Sequence, residues 1–280
     1  MKIFMLWDME GVSGLFRRPQ TWFWEPGATE EDHETGRRLL MADINAAIVA
    51  ALDAGADEVI ACDTHHGGGN IRLEEMPADP RVTYLGRAAW EQDGRRVWMP
   101  GLDESVDGFM LPGHHAKGGT PGAFLPHAWS LTWADFRING LSVGEIGIEA
   151  CYAAHFGVPL VLVQGDEAAC REAEAQFPGV VTAAVKRAVD PDTCAGPDPE
   201  TAHRLTAARV REAIAKTRTK AIAPVRHRLP MEVSIRMTTV AAADAAAQRP
   251  GVRRFDDYTV GATVEQHGDI VKWIVGLGVS

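Results

Sequence analysis

KIFMLWDMEG, residues 2–11, runs apolar from Ile3 to Trp7 and turns abruptly acidic at Asp8. A continuous apolar run of this length, bounded by charge, reads as a strand buried on both faces. From about Glu30 to Ala54 the pattern changes: Leu39, Leu40, Ile44, Ile48 and Leu52 form one stripe, and Gly55 follows. That is the spacing of an amphipathic helix with a glycine stop. DEVIACD (57–63) then reads as a second buried strand. Strand, crossover helix and strand together predict a parallel pair, and hence an α/β protein.

The same alternation continues. RVTYL (81–85) and GFMLPG (108–113) read as further strands, with WEQDGRRVWMPGLDES (90–105) irregular between them. Asn139-Gly140 sits between two alternating runs, a strong hairpin signal. GEIGIEACYAAHF (144–156) has helical spacing, PLVLVQGD (159–166) that of a buried strand, DEAACREAEAQF (166–177) of a helix, VVTAAV (180–185) of a strand and PETAHRLTAARVREAIAKT (199–217) of a long helix. A strand MEVSIRM (231–237), an Ala-rich helix at 239–247 and a last strand and helix complete the chain. The expected fold is a mainly parallel sheet with helices on both faces over residues 1–190, plus a smaller C-terminal α/β portion over 191–280. The boundary is placed where DPDTCAGPDPE (190–200) concentrates Pro, Gly and Asp.

With 280 residues, 46% of them hydrophobic, the chain can bury a sizeable core. A net charge of -10 supplies no positive field for a phosphate backbone or an anionic membrane surface, so neither nucleic acid nor membrane is an expected partner. Asp8 and Glu10 interrupt the N-terminal apolar run before it could serve as a signal sequence. Cys62, Cys151, Cys170 and Cys194 are widely spaced and form no C-x-x-C pair. They read as small buried hydrophobes in a reducing compartment, which predicts a cytoplasmic location.

In open α/β sheets ligands bind beyond the carboxyl ends of the strands. Three such ends carry metal-type side chains. In LWDMEG, alternation along an extended chain puts Asp8 and Glu10 on one side and Met9 on the other. In CDTHHGGGN the same spacing pairs Asp63 with His65 and opposes His66. LPGHHAKGGTPG delivers His114 and His115, and Glu145 opens a helix whose dipole favours an ionised carboxylate. Any one of these has an ordinary structural reading as a turn cap, a loop histidine or a first-turn Glu. HGGGN lacks the lysine of a P-loop and the spacing of a dinucleotide fingerprint. Their coincidence at successive strand ends points to a Zn²⁺ or Mn²⁺ site, where bridging carboxylates hold two ions about 3.5–4 Å apart.

LWDMEGVSG, CDTHH, GHHAKGGTPG, PHAWS and INGLSVGEIGIEA occur in the order and at closely similar spacing to motifs of the zinc-dependent D-aminopeptidase family, which the chain resembles over most of its length up to about residue 190. Trp7 stands where that family commonly has Ser. The resemblance implies metal ligands at Asp8, Glu10, His65, His115 and Glu145, two Zn²⁺ per chain bridged by Asp8, and a catalytic His127. It favours His65 over His66 and His115 over His114. It also implies removal of the N-terminal residue from short peptides that contain D-amino acids, and a homo-oligomeric ring of ten subunits.

Two other readings use the same residues. Asp/His clusters at strand ends also serve metal-dependent phosphoesterases, although Lys117 is the one obvious basic residue within the motifs. A non-enzymatic metal-binding scaffold is the second, since fold alone does not confer activity.

Overall fold

β1 (Lys2–Trp7) sends Ile3, Met5 and Trp7 into one hydrophobic core and Phe4 and Leu6 into another, which is why its sequence is apolar without alternation. The computed structural model describes residues 1–92 and 94–278. α1 (Glu30–Asp53) starts at a reciprocal cap: the Thr29 hydroxyl accepts the Asp32 amide, and the Asp32 carboxylate accepts the Thr29 amide. It returns the chain to β2 (Glu58–Asp63), which pairs with β1 in parallel, and β3 (Val82–Leu85) follows on the outer side of β2.

The stretch expected to be irregular contains a short ribbon, β4 (Glu91–Gln92) with β5 (Arg95–Arg96). β6 (Gly108–His114) then pairs with β1 on the side away from β2. β7 (Trp133–Ile138) and β8 (Leu141–Val143) form the expected hairpin, with φ of 49° at Asn139 and 84° at Gly140. A two-residue turn of this kind requires positive φ at both positions. Next come α2 (Glu145–His155), β9 (Leu160–Asp166), α3 (Glu167–Gln176), β10 (Val181–Asp190), β11 (Thr193–Ala195) and α4 (Pro199–Arg218). The chain ends with β12 (Met231–Met237), α5 (Val240–Ala247), β13 (Arg253–Arg254), β14 (Thr259–Val264) and α6 (Lys272–Val275).

The large sheet has the order β11-β10-β9-β6-β1-β2-β3 and is parallel except for β11. α1 and α4 cover the Ile3–Met5–Trp7 face, while α2 and α3 pack into the core that holds Phe4 and Leu6. Helices therefore lie on both faces, as expected. A second, antiparallel sheet, β13-β14-β12-β7-β8, joins residues 133–143 to residues 231–264.

The division expected near residue 190 does not separate these layers. β11 and α4, beyond it, complete the large sheet and its helical cover, while β7 and β8, before it, belong to the smaller sheet. The Pro- and Gly-rich segment holds the turn from β10 into β11, β11 itself and the start of α4, and turns share their composition with linkers.

The winding of the sheet reverses between β1 and β6, and this is the switch point at which ligands of such sheets bind. The two strand ends meet closely there. The Gly11 amide donates to the Gly113 carbonyl at 2.6 Å, and a Cβ on Gly113, whose φ is 76°, would lie 2.1 Å from the Asp8 carbonyl oxygen. Glycine alone permits that approach.

Candidate metal centre

Asp8 and Glu10 lie just beyond β1, both buried, with Met9 turned into the opposite core as alternation requires. His65 follows β2 in a single 3-10 turn. Its Nδ1 stands 2.7 Å from Asp8 Oδ1 and 3.3 Å from Glu10 Oε2. His115 follows β6 and Glu145 opens α2; His115 Nε2 lies 3.3 Å from Glu145 Oε1 and 3.6 Å from Asp8 Oδ2. His127 stacks on the His115 ring with centroids 3.8 Å apart, and its Nε2 is 3.8 Å from Glu145 Oε1. The side chains form two trios with the spacing of metal ligands, Asp8–Glu10–His65 and His115–His127–Glu145. Asp8 turns one carboxylate oxygen toward a histidine of each trio.

The orientation of the imidazoles tests whether these residues suit a cation. His65 Nε2 donates to the Thr21 carbonyl at 3.0 Å, His115 Nδ1 to the Ala116 carbonyl at 3.0 Å, and His127 Nδ1 to the Leu125 carbonyl at 2.8 Å. Each neutral ring then presents the lone pair of its other nitrogen to carboxylate oxygens, themselves acceptors. Acceptors facing acceptors in a buried site need positive charge between them. Glu10 Oε2 and His115 Nε2 are buried without a hydrogen bond. Nitrogen and oxygen donors with backbone carbonyls behind the imidazoles are what a zinc site uses, so the residues fit the metal.

The same carboxylates that would face a cation favour protonated imidazoles when none is bound. Burial works against a charged imidazolium at His65 and His115, yet Glu10 and Asp8 around the first and Glu145 around the second raise both well above the usual histidine value. Burial and the neighbouring Glu10 charge raise Asp8, whereas His65 holds Glu10 well below the usual carboxylate range in spite of burial. His127 is lowered, first by burial and then by His115.

The other histidines and acids of the motifs do different work. Asp63 is buried but accepts the backbone amides of Asn70 and Ile71, holding the glycine-rich loop. His66 stacks on Trp24 at 4.3 Å. His114 is paired with Glu149 at 2.7 Å in the core behind the clusters; burial raises Glu149 to about 7, and against the same burial the Glu149 carboxylate raises His114 to about 9. Lys117 turns its ammonium to Ser142.

Two contributors escape sequence reasoning. Glu149 stands one helical turn after Glu145, a spacing that could have marked it. Trp22, whose indole N–H reaches Glu10 Oε1 at 2.7 Å, comes from a loop with no periodicity to read.

The clusters open into a cavity of about 210 Å³ lined also by Trp90, Trp98, Trp129 and Arg96.

Comparison with known proteins gives a consistent answer. The D-aminopeptidase family profile matches residues 1–275. The chain is 34% identical over 206 residues to a D-aminopeptidase of Bacillus subtilis (strain 168), covering 73% of this chain and 70% of that one. Its fold matches the solved structure of DppA from Bacillus subtilis, a Zn-dependent D-aminopeptidase and self-compartmentalizing protease, with a TM-score of 0.85 and 28% identity over 95% of this chain and 93% of that one. The motifs, the fold and both relatives lead to one assignment: the chain belongs to the D-aminopeptidase family, a family of peptide hydrolases.

Proposed function

We propose that the protein is a dinuclear zinc aminopeptidase that removes the N-terminal residue, a D-amino acid, from short peptides. The observation that carries this reading is the position of Asp8, with Oδ1 at 2.7 Å from His65 and Oδ2 at 3.6 Å from His115. A carboxylate that faces two trios at once is suited to bridge two ions. Asp8, Glu10 and His65 would hold one, and Asp8, His115 and Glu145 the other. When bound, zinc supplies Lewis acidity that activates water near neutral pH and polarises a carbonyl.

The chain's own residues supply the rest. Burial lowers His127, and with its Nδ1–H fixed on the Leu125 carbonyl its Nε2, 3.8 Å from Glu145 Oε1, carries the lone pair. It accepts a proton during attack and returns it to the leaving amine. The exposed Arg96 at the same cavity offers a counter-charge for the carboxylate of a short peptide. Among the described residues no helix is long and apolar enough to cross a membrane, and all four cysteines are free, which accords with a cytoplasmic location. By analogy with the self-compartmentalizing relative we also propose a closed homo-oligomer of ten subunits.

The test is hydrolysis by purified, zinc-loaded protein of D-alanyl peptides, of their N-acetylated forms and of p-nitrophenyl phosphate. Release of D-alanine from free-amine peptides alone is expected, abolished by 1,10-phenanthroline and restored by Zn²⁺. Turnover of the phosphate ester in place of the peptides would instead support a phosphoesterase.

A further inference from the structure

The wall of the cavity next to the two clusters is aromatic and aliphatic: Trp90, Trp98, Trp129, Leu131, Ile148 and Leu277. We infer that this wall is a side-chain subsite for a large apolar or aromatic residue, so that peptides opening with phenylalanine or leucine are cleaved in preference to those opening with alanine. The inference rests on the aminopeptidase reading and specifies its substrate.

Hydrogen bonds and aromatic packing within the protein position the tryptophans of the wall. The Trp90 indole donates to the Asp63 carbonyl at 2.9 Å, and the Tyr152 hydroxyl donates to the Trp98 carbonyl at 3.2 Å. Trp98 packs on Trp129 and on Tyr152, each with centroids 4.6 Å apart. Trp90 and Trp98 are buried, whereas Trp129 is half-buried and Leu131 is 54% exposed, so the cavity side of the wall retains apolar surface to cover. Apolar walls with a few convergent polar groups are the usual form of a small-ligand pocket.

Position decides which part of the peptide this wall meets. Ile148 stands one turn after Glu145 on α2 and both line the cavity, so the apolar wall begins directly beside the clusters. In a peptide the amine, the scissile carbonyl carbon and the first side chain are all attached to one Cα. With the amine and the carbonyl held at the clusters, that side chain is the group able to reach the wall. A methyl group would leave most of the apolar surface uncovered, while a phenyl or isobutyl group would cover it.

The experiment compares kcat/KM of the zinc-loaded protein on D-phenylalanyl-glycine, D-leucyl-glycine and D-alanyl-glycine, with the L-forms alongside. The larger residues should be favoured about 10- to 100-fold, the scale expected for burying one such side chain. In parallel, calorimetry of D-phenylalaninamide and D-alaninamide binding to the same protein should show the same order, and Trp129→Ala should narrow both ratios. Equal or inverted ratios in hydrolysis and in binding overturn the subsite and leave the aminopeptidase reading intact. If no peptide is cleaved, that reading falls, and the two amides still decide whether the wall selects large side chains.

Discussion

The indole N–H of Trp22 donates a 2.7 Å hydrogen bond to Oε1 of Glu10, inside the acidic cluster and buried from solvent. The same loop presents the Thr21 carbonyl to His65 Nε2, so two adjacent residues fix the orientation of two candidate ligands. Trp22→Phe keeps an aromatic ring, though a smaller one, and removes the donor. The variant should fold normally by circular dichroism and bind zinc about 10- to 100-fold more weakly in chelator competition, the usual effect of removing a group that orients a ligand. Unaltered affinity would assign the bond to packing alone.

Asp8→Ala should bring the zinc content of purified protein from two ions per chain to none, because its carboxylate faces both trios. Elemental analysis decides this, with thermal unfolding showing that the variant is folded. Retention of both ions would remove the case for a bridge.

His127→Ala should retain two ions while kcat falls about 10²- to 10⁴-fold, the range for loss of one acid-base group. KM should change little, as for an interaction made only in the transition state. His127 also lies within ligand reach of His115 and Glu145. Loss of one ion in the variant would make it a ligand.

Lys186 predicts a dependence of stability on pH. It is buried and donates to the carbonyls of Val12 and Leu15 at 3.0 and 2.6 Å, tying down the loop that follows Glu10, and burial lowers it from 10.5 to about 8. Between about pH 8 and 10.5 the unfolded chain therefore holds more protons at this site than the folded one, and stability rises with pH. Lys186→Met lacks that gain. Chemical denaturation at pH 7 and pH 10 should show the advantage of wild type over variant growing by a free energy on the order of 3 kcal/mol. An advantage that stays constant or shrinks would mean that the ammonium is not held at such a depressed value.

Much of this protein is decided locally. The apolar run into Asp8, the stripe from Leu39 to Leu52, the Asn139-Gly140 turn and the alternation of Asp8, Met9 and Glu10 depend on backbone periods of two and 3.6 residues, which a sequence displays directly. Hence the longer strands, the helices on both faces and the acidic strand ends were legible, and the short β4, β5 and β11 were not. What periodicity does not contain is which strand lies beside which. β6 is placed next to β1, and α2 behind it, by burial of two cores, so only the tertiary structure brings His115 and Glu145 to an aspartate more than a hundred residues earlier. The same holds for β11 and α4 joining the large sheet and its cover from beyond residue 190, for His65 facing Asp8 while His66 stacks on Trp24, and for Trp22 reaching Glu10 from an aperiodic loop. Each of these is a contact between side chains held by different elements, and its distance is set by how the sheet packs rather than by any spacing along the chain.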